Sequence, residues 1–146
     1  MTSIISSLSI NQIKTLSTAT IANFTSSDIA ALSTAQVAAL SSTQIGALQT
    51  DDFDGLSSSQ LGALSSVAVR GLTVDQLAVI DSAKMIGLQS GQLGALSSAQ
   101  IAALSADQFN ALSTSQLNAL TSVALAGLGT EDMATLTSTE LSDLST

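Results

Sequence analysis

The residues best able to do chemistry in this chain are its serines and carboxylates, because it contains neither His nor Cys. A general base, a general acid or an activated nucleophile would have to be made from Ser beside Asp or Glu. The serines recur at fixed intervals, however, and a structural reason for the recurrence accounts for each of them without catalysis. The chain therefore reads as a protein that is not an enzyme, with no catalytic residue. The cluster Asp51, Asp52 and Asp54 could hold a hard cation such as calcium, but it lacks the Gly, the Asn and the closing Glu of a helix-loop-helix calcium loop. It reads better as acidic groups in the first turn of a helix, where the helix dipole favours them. Neither a metal site nor a cofactor is expected. Asn23-Phe24-Thr25 fits a glycosylation sequon, although Thr25 has another use in the pattern described below.

The charge balance narrows the partners. Eleven acidic residues face three basic ones, Lys14, Arg70 and Lys84, for a net charge of −8. Three scattered cations cannot form a stripe that neutralises phosphates, so neither nucleic acid nor an anionic membrane surface is expected as a partner. No apolar run approaches the roughly 18 residues needed to cross a bilayer. The start, Met1-Thr-Ser-Ile-Ile-Ser-Ser-Leu8, has neither the basic region nor the continuous apolar core of a secretory signal. Without Cys there is no disulfide framework and no thiolate metal site.

What would have to position any functional group is a repeat of eight residues. Read in steps of eight, an apolar residue stands at every step from Leu8, Leu16, Phe24, Leu32 and Leu40 through Leu128, Leu136 and Leu144. A second apolar column follows five residues later, as at Ile13, Ile21, Ile29, Val37 and Ile45 and on to Met133 and Leu141. Phe24, Phe53 and Phe109 all fall in these columns and read as core. Numbering the leading residue as place one, Ser or Thr fills most second places (Ser33, Ser41, Ser57, Thr73, Ser97) and Gln many fifth places (Gln36, Gln44, Gln60, Gln76, Gln100).

Ser/Thr-x-x-Gln is a capping box. The hydroxyl accepts the N–H of the residue three further on, the Gln side chain returns to the N–H of the cap, and two unpaired donors of a new helix are satisfied. The apolar residues on either side of the box, Leu32 and Val37 for example, stand where a hydrophobic staple would place them. Each octad thus carries a complete helix start, and Thr25 is the cap of its own octad.

One straight helix cannot satisfy the pattern, since eight residues advance roughly 800°, about 80° beyond two turns, and the apolar stripe would spiral round the rod. The helix has to break once per octad. Place eight supplies room for the break with Ala31, Ala39, Ala47, Gly55, Ala63, Gly71, Gly87 and Gly127, small enough for close backbone approach or a C-terminal turn. The expected fold is all-α, a solenoid or superhelix of very short helices, one per octad. The alternative is a β-solenoid, because eight is even. Against it, columns five and three apart fall on opposite faces of a strand, whereas a spacing of three falls on one helical face, and the Ala, Leu and Gln content favours helix.

The pattern runs through 1–146, so the chain reads as a single octapeptide-repeat domain, equivalent to a longer array or a segment of one. Two octads, Leu64 to Gly71 and Leu120 to Gly127, carry Ala68 and Ala124 where Gln is usual. They lie seven octads apart in similar surroundings, which points to duplication of a block.

The octad Leu-Ser/Thr-x-x-Gln-Ile/Leu-x-Ala resembles the low-complexity octad regions of large bacterial secreted or surface proteins labelled as adhesion or haem-utilisation proteins. The resemblance covers the whole chain and implies an extracellular or cell-surface location. It carries over no functional residue, and nothing here would ligate haem, His, Cys and Tyr being absent. Two functions remain to be weighed. One is a structural repeat, an extension, filament segment or scaffold whose partners are proteins or further copies stacked end to end, with no small-molecule substrate evident. The alternative is an ice-binding or other crystal-surface-binding protein, suggested by regular ranks of Ser, Thr and Ala with few charges.

Overall fold

The computed structural model describes residues 4–130 and residue 134. Expectations that fall on Leu136, Leu141, Leu144, Met133, Glu131, Asp132, Glu140 and Asp143 lie outside the described residues. Within them the chain is a 3₁₀ turn, Ile4–Ser7, followed by fifteen short α-helices: α1 Ile10–Thr15, α2 Thr18–Ile21, α3 Ser26–Ala30, α4 Thr34–Ala38, α5 Ser42–Gly46, α6 Thr50–Phe53, α7 Ser58–Ala63, α8 Ser66–Val69, α9 Val74–Ala78, α10 Ser82–Met85, α11 Ser90–Leu93, α12 Ser98–Ala102, α13 Ala106–Asn110, α14 Thr114–Leu117 and α15 Ser122–Leu125. There is one helix per octad and no strand among the described residues, which settles the choice in favour of the all-α solenoid over the β-solenoid.

Each helix starts as its sequence dictates. In α4 the Ser33 hydroxyl accepts from the Gln36 N–H at 3.2 Å and the Gln36 Oε1 accepts from the Ser33 N–H at 2.7 Å. The same reciprocal pair opens α5, α7, α9, α12, α13 and α14. Thr25 and Asp28 form the box of α3. Where place five is Ala, as at Ala68 and Ala124, the cap hydroxyl still accepts the N–H but nothing returns.

The break between helices is made by extended backbone, and no glycine turn is needed. The cap residues have ψ between 142° at Gln49 and 165° at Ser41, and the leading residues Leu16 and Leu64 are extended too, with ψ of 134° and 140°. No described residue has a positive φ, so the small residues at place eight do not serve a left-handed C-terminal turn. Of the two uses expected for them, close backbone approach is the one the fold makes.

Helices of four to six residues are unstable alone in water, so stability comes from stacking. Every third helix packs together: α1 on α4, α2 on α5, and so on to α12 on α15. A superhelical turn therefore takes a little over three octads. The two apolar columns line its interior as one continuous core, with Val37, Ile45, Leu61, Leu77, Leu93, Ile101 and Leu117 wholly buried and the leading residues from Phe24 through Leu120 nearly so, while Leu8, Leu16 and Leu128 are partly buried. Burial of each such side chain contributes roughly 1.5 to 3 kcal/mol.

Candidate functional site

Among the described residues, the serines singled out in the sequence have structural partners, as do Asp52 and Asp54. The hydroxyls of Ser33, Ser41, Ser57, Ser97, Ser105 and Ser113 are each bonded to the N–H three residues on, as caps. Two aspartates of the candidate cation cluster turn to separate partners. Asp52 Oδ1 accepts from the Ser26 N–H at 2.9 Å, while Asp54 pairs with the Lys84 ammonium, which also donates to the Asp54 carbonyl. Among the described residues no group of three or more His, Cys, Asp or Glu is placed to hold a metal. Asn23 is exposed, with its Nδ2 on the Ala19 carbonyl at 2.8 Å, and the Thr25 hydroxyl is engaged with Asp28. An open depression of about 410 Å³ lies against Thr34, Ser58, Gly62, Gly87 and the exposed Ile86, and no ionisable side chain lines it.

The polar chemistry of this fold is concentrated in a seam between successive turns, built by Gln at place five. The Oε1 of Gln100 accepts from the Ser97 N–H at 2.9 Å, closing the capping box. Its Nε2 donates to the carbonyl oxygens of Val69 at 3.0 Å and Leu72 at 2.8 Å, which belong to the preceding turn. Those two carbonyls end α8 and follow it, where a helix leaves acceptors without partners. A primary amide has two N–H donors and an oxygen that accepts, so one side chain seals the start of one helix and the end of another. The same steps of 31 and 28 residues recur from Gln44 to Ile13 and Leu16, Gln60 to Ile29 and Leu32, Gln76 to Ile45 and Leu48, Gln92 to Leu61 and Leu64, and Gln108 to Leu77 and Ile80. Gln36 reaches Ile5 and Leu8, and Gln116 reaches Leu88 with a longer contact to Ile86. All eight glutamines are buried, and among the described residues no buried side-chain nitrogen or oxygen lacks a partner.

The outward half of this role escapes a reading of the capping box alone, although the sequence holds a signal for it. A box on the surface accepts Glu as readily as Gln, but a carboxylate cannot donate to two carbonyls. The one Glu in this column, Glu140, lies outside the described residues.

The model of the ALTTAQ repeat matches residues 5–42, 21–58, 45–82 and 85–122. The chain belongs to the ALTTAQ repeat family. The four matches start 16, 24 and 40 residues apart, whole numbers of octads, so the ALTTAQ repeat and the structural octad share one phase. A matched stretch is long enough to hold both a Gln of one turn and the carbonyls it reaches 31 residues earlier. No curated protein and no solved structure matches the chain.

Proposed function

We propose that the chain is a non-catalytic structural repeat, an extension or filament segment that also serves as a scaffold for protein contacts. The seam is the main support for this reading: the same polar bond and the same apolar contacts recur turn after turn, so length can be added without a new kind of interaction. The observation that carries the further step to self-association is at the first turn. Gln12 closes its own capping box through Oε1 on the Ser9 N–H at 2.8 Å, yet it is exposed, and among the described residues its Nε2 meets no carbonyl oxygen. Ile5, Leu8 and Leu16 beside it are only partly buried. The matching surface is the far side of an octad turn, with the carbonyls that Gln reaches elsewhere and the end of the apolar column, as another copy or an adjoining stretch of a longer chain would offer. Stacking head to tail extends a filament where the rotation does not close. The resemblance to octad regions of bacterial surface proteins supports an extracellular or cell-surface setting.

Sedimentation at several concentrations and ionic strengths tests this. Association is expected to strengthen with salt, as screening to about 8 Å near physiological ionic strength relieves the repulsion between acidic copies, and to weaken in Ile5→Asp and Gln12→Ala. A monomer under all conditions would exclude it for this chain. The ice-binding alternative calls for a flat rank of free hydroxyls, whereas the second-place hydroxyls are engaged as caps; thermal hysteresis near freezing tests it.

A further inference from the structure

The octads that lack Gln differ in a second respect. Twelve octads, those led by Leu32 through Leu120, have a preceding turn to pack against. Eight have Gln at place five, and their eighth places are Ala39, Ala47, Ala63, Val79, Ala95, Ala103, Ala111 and Ala119. The four others have Asp52, Ala68, Lys84 or Ala124 at place five, and their eighth places are Gly55, Gly71, Gly87 and Gly127. The substitution of Gln and the appearance of Gly coincide in every case. The two later octads, with Asp132 and Glu140, lie outside the described residues.

The geometry gives the reason. A Cβ on Gly55, Gly71, Gly87 or Gly127 would lie 2.4, 2.0, 2.2 or 2.0 Å from the carbonyl oxygen of Ser26, Ser42, Ser58 or Ser98, in each case the residue 29 positions earlier. Real side chains do not approach so closely, so at these places the backbones of successive turns touch. In the Gln octads a methyl or larger group occupies place eight, so the carbonyl 29 residues earlier must stand back by its width, although Gly94 and the Ala119 carbonyl still touch at one such junction. Ala68 and Ala124 are wholly buried, as closure of the Gln volume by the approach of the turns requires.

We infer that the solenoid seals its turns by two interchangeable devices, and that places five and eight specify which is used. In one, the Gln amide is a polar spacer bonded to two carbonyls of the preceding turn, with Ala at place eight. In the other there is no glutamine and the turns close until glycine meets a serine carbonyl; at Ala68 and Ala124 weak Cα–H···O contacts and apolar packing replace the amide bonds, while Asp52 and Lys84 bond the Ser26 N–H and the Asp54 carbonyl of the preceding turn. Neither half of a pair fits the other setting. Gln without the wider gap overpacks the seam. Ala in the narrow gap collides with a carbonyl, and Gln removed from the wide gap leaves the leading residue's carbonyl unpaired and a void.

Two double-mutant cycles read by thermal melting test this. Ala68→Gln and Gly71→Ala are each expected to lower the melting temperature by about 4 to 8 °C, while the double variant, converting the narrow junction to the wide one, returns to within about 2 °C of the parent. In the opposite direction Gln108→Ala should be rescued by Ala111→Gly, because the residue that the new glycine would meet is again a serine, Ser82. This second cycle decides the matter should a buried Gln at position 68 prevent folding. Rescue shows that the places are coupled; losses that simply add in either cycle would overturn the inference.

Discussion

The side-chain amide of Gln100 donates to the carbonyl oxygen of Leu72 at 2.8 Å, across 28 residues of chain and from one superhelical turn to the turn before it. The bond links a helix start to the end of another helix, so local folding of an octad and its stacking on the solenoid depend on the same side chain.

Gln100→Ala therefore removes more than a cap. It leaves the Ser97 N–H and the Leu72 carbonyl without their partner, and the Val69 carbonyl with only the Leu72 N–H. A loss of about 2 to 4 kcal/mol is expected in denaturant unfolding, against about 1 kcal/mol for Ser97→Ala, which removes only the cap hydroxyl.

Gln100→Glu separates the two halves of the role. The carboxylate still accepts from Ser97 but faces two carbonyls that it cannot bond, so its ionised form is disfavoured and its pKa in the folded state should lie above that in the unfolded state. A group raised on folding contributes stability when protonated and loses it as pH rises. The variant is expected to approach the parent's stability as pH falls through the carboxylate range, and to fall behind it towards neutrality. Melting curves of both proteins at matched pH read the difference.

The glycines divide by position. Gly91 lies inside α11, and a Cβ there would meet nothing within 4 Å, so Gly91→Ala should stabilise by about 0.5 to 1 kcal/mol through helix propensity and a less flexible unfolded chain. An equal loss at this position in chemical denaturation would contradict the geometry.

The fold was legible in the sequence because its local signals agree. The Ser97 to Gln100 box, the staple of Leu96 and Ile101 and the small Ala103 all mark one helix per octad, and the structure places all of them so. The seam was not legible, because pairing at 28 and 31 residues depends on how far each break rotates the chain. That angle is set by the extended pair of residues, such as Leu64 and Ser65, and no residue type spells it out. The role of place eight was visible only as smallness, and glycine's specific need appears once Gly71 is seen against Ser42. The partners of Asp52 and Asp54 were hidden for the same reason, since Ser26 and Lys84 lie about a superhelical turn away in the chain.

That Lys84 pair should matter little to stability. It is a surface contact in which the Asp54 side chain is 67% exposed, and such pairs contribute at most about 1 kcal/mol. Lys84→Ala is expected to cost less than Gln100→Ala, with the cost shrinking further in high salt.

Deleting whole octads tests the unit of repetition. Loss of Leu96 through Ala103 preserves the phase and lets Gln108 meet Val69 and Leu72 in place of Leu77 and Ile80, so a folded, shorter solenoid is expected. Loss of Ser97 through Gln100 alone brings apolar residues out of register and should lower the melting temperature far more. Equal melting of the two would mean that the octad is not the structural unit.

The pairing of turns is tested most directly by nuclear Overhauser effects from the side-chain amide protons of Gln100, assigned by their disappearance in Gln100→Glu. The account predicts contacts to residues 69–73 together with those to its own cap at Ser97. Contacts confined to its own octad, or to octads two or five removed, would contradict a solenoid in which Gln100 of α12 bonds the carbonyls that end α8 and follow it.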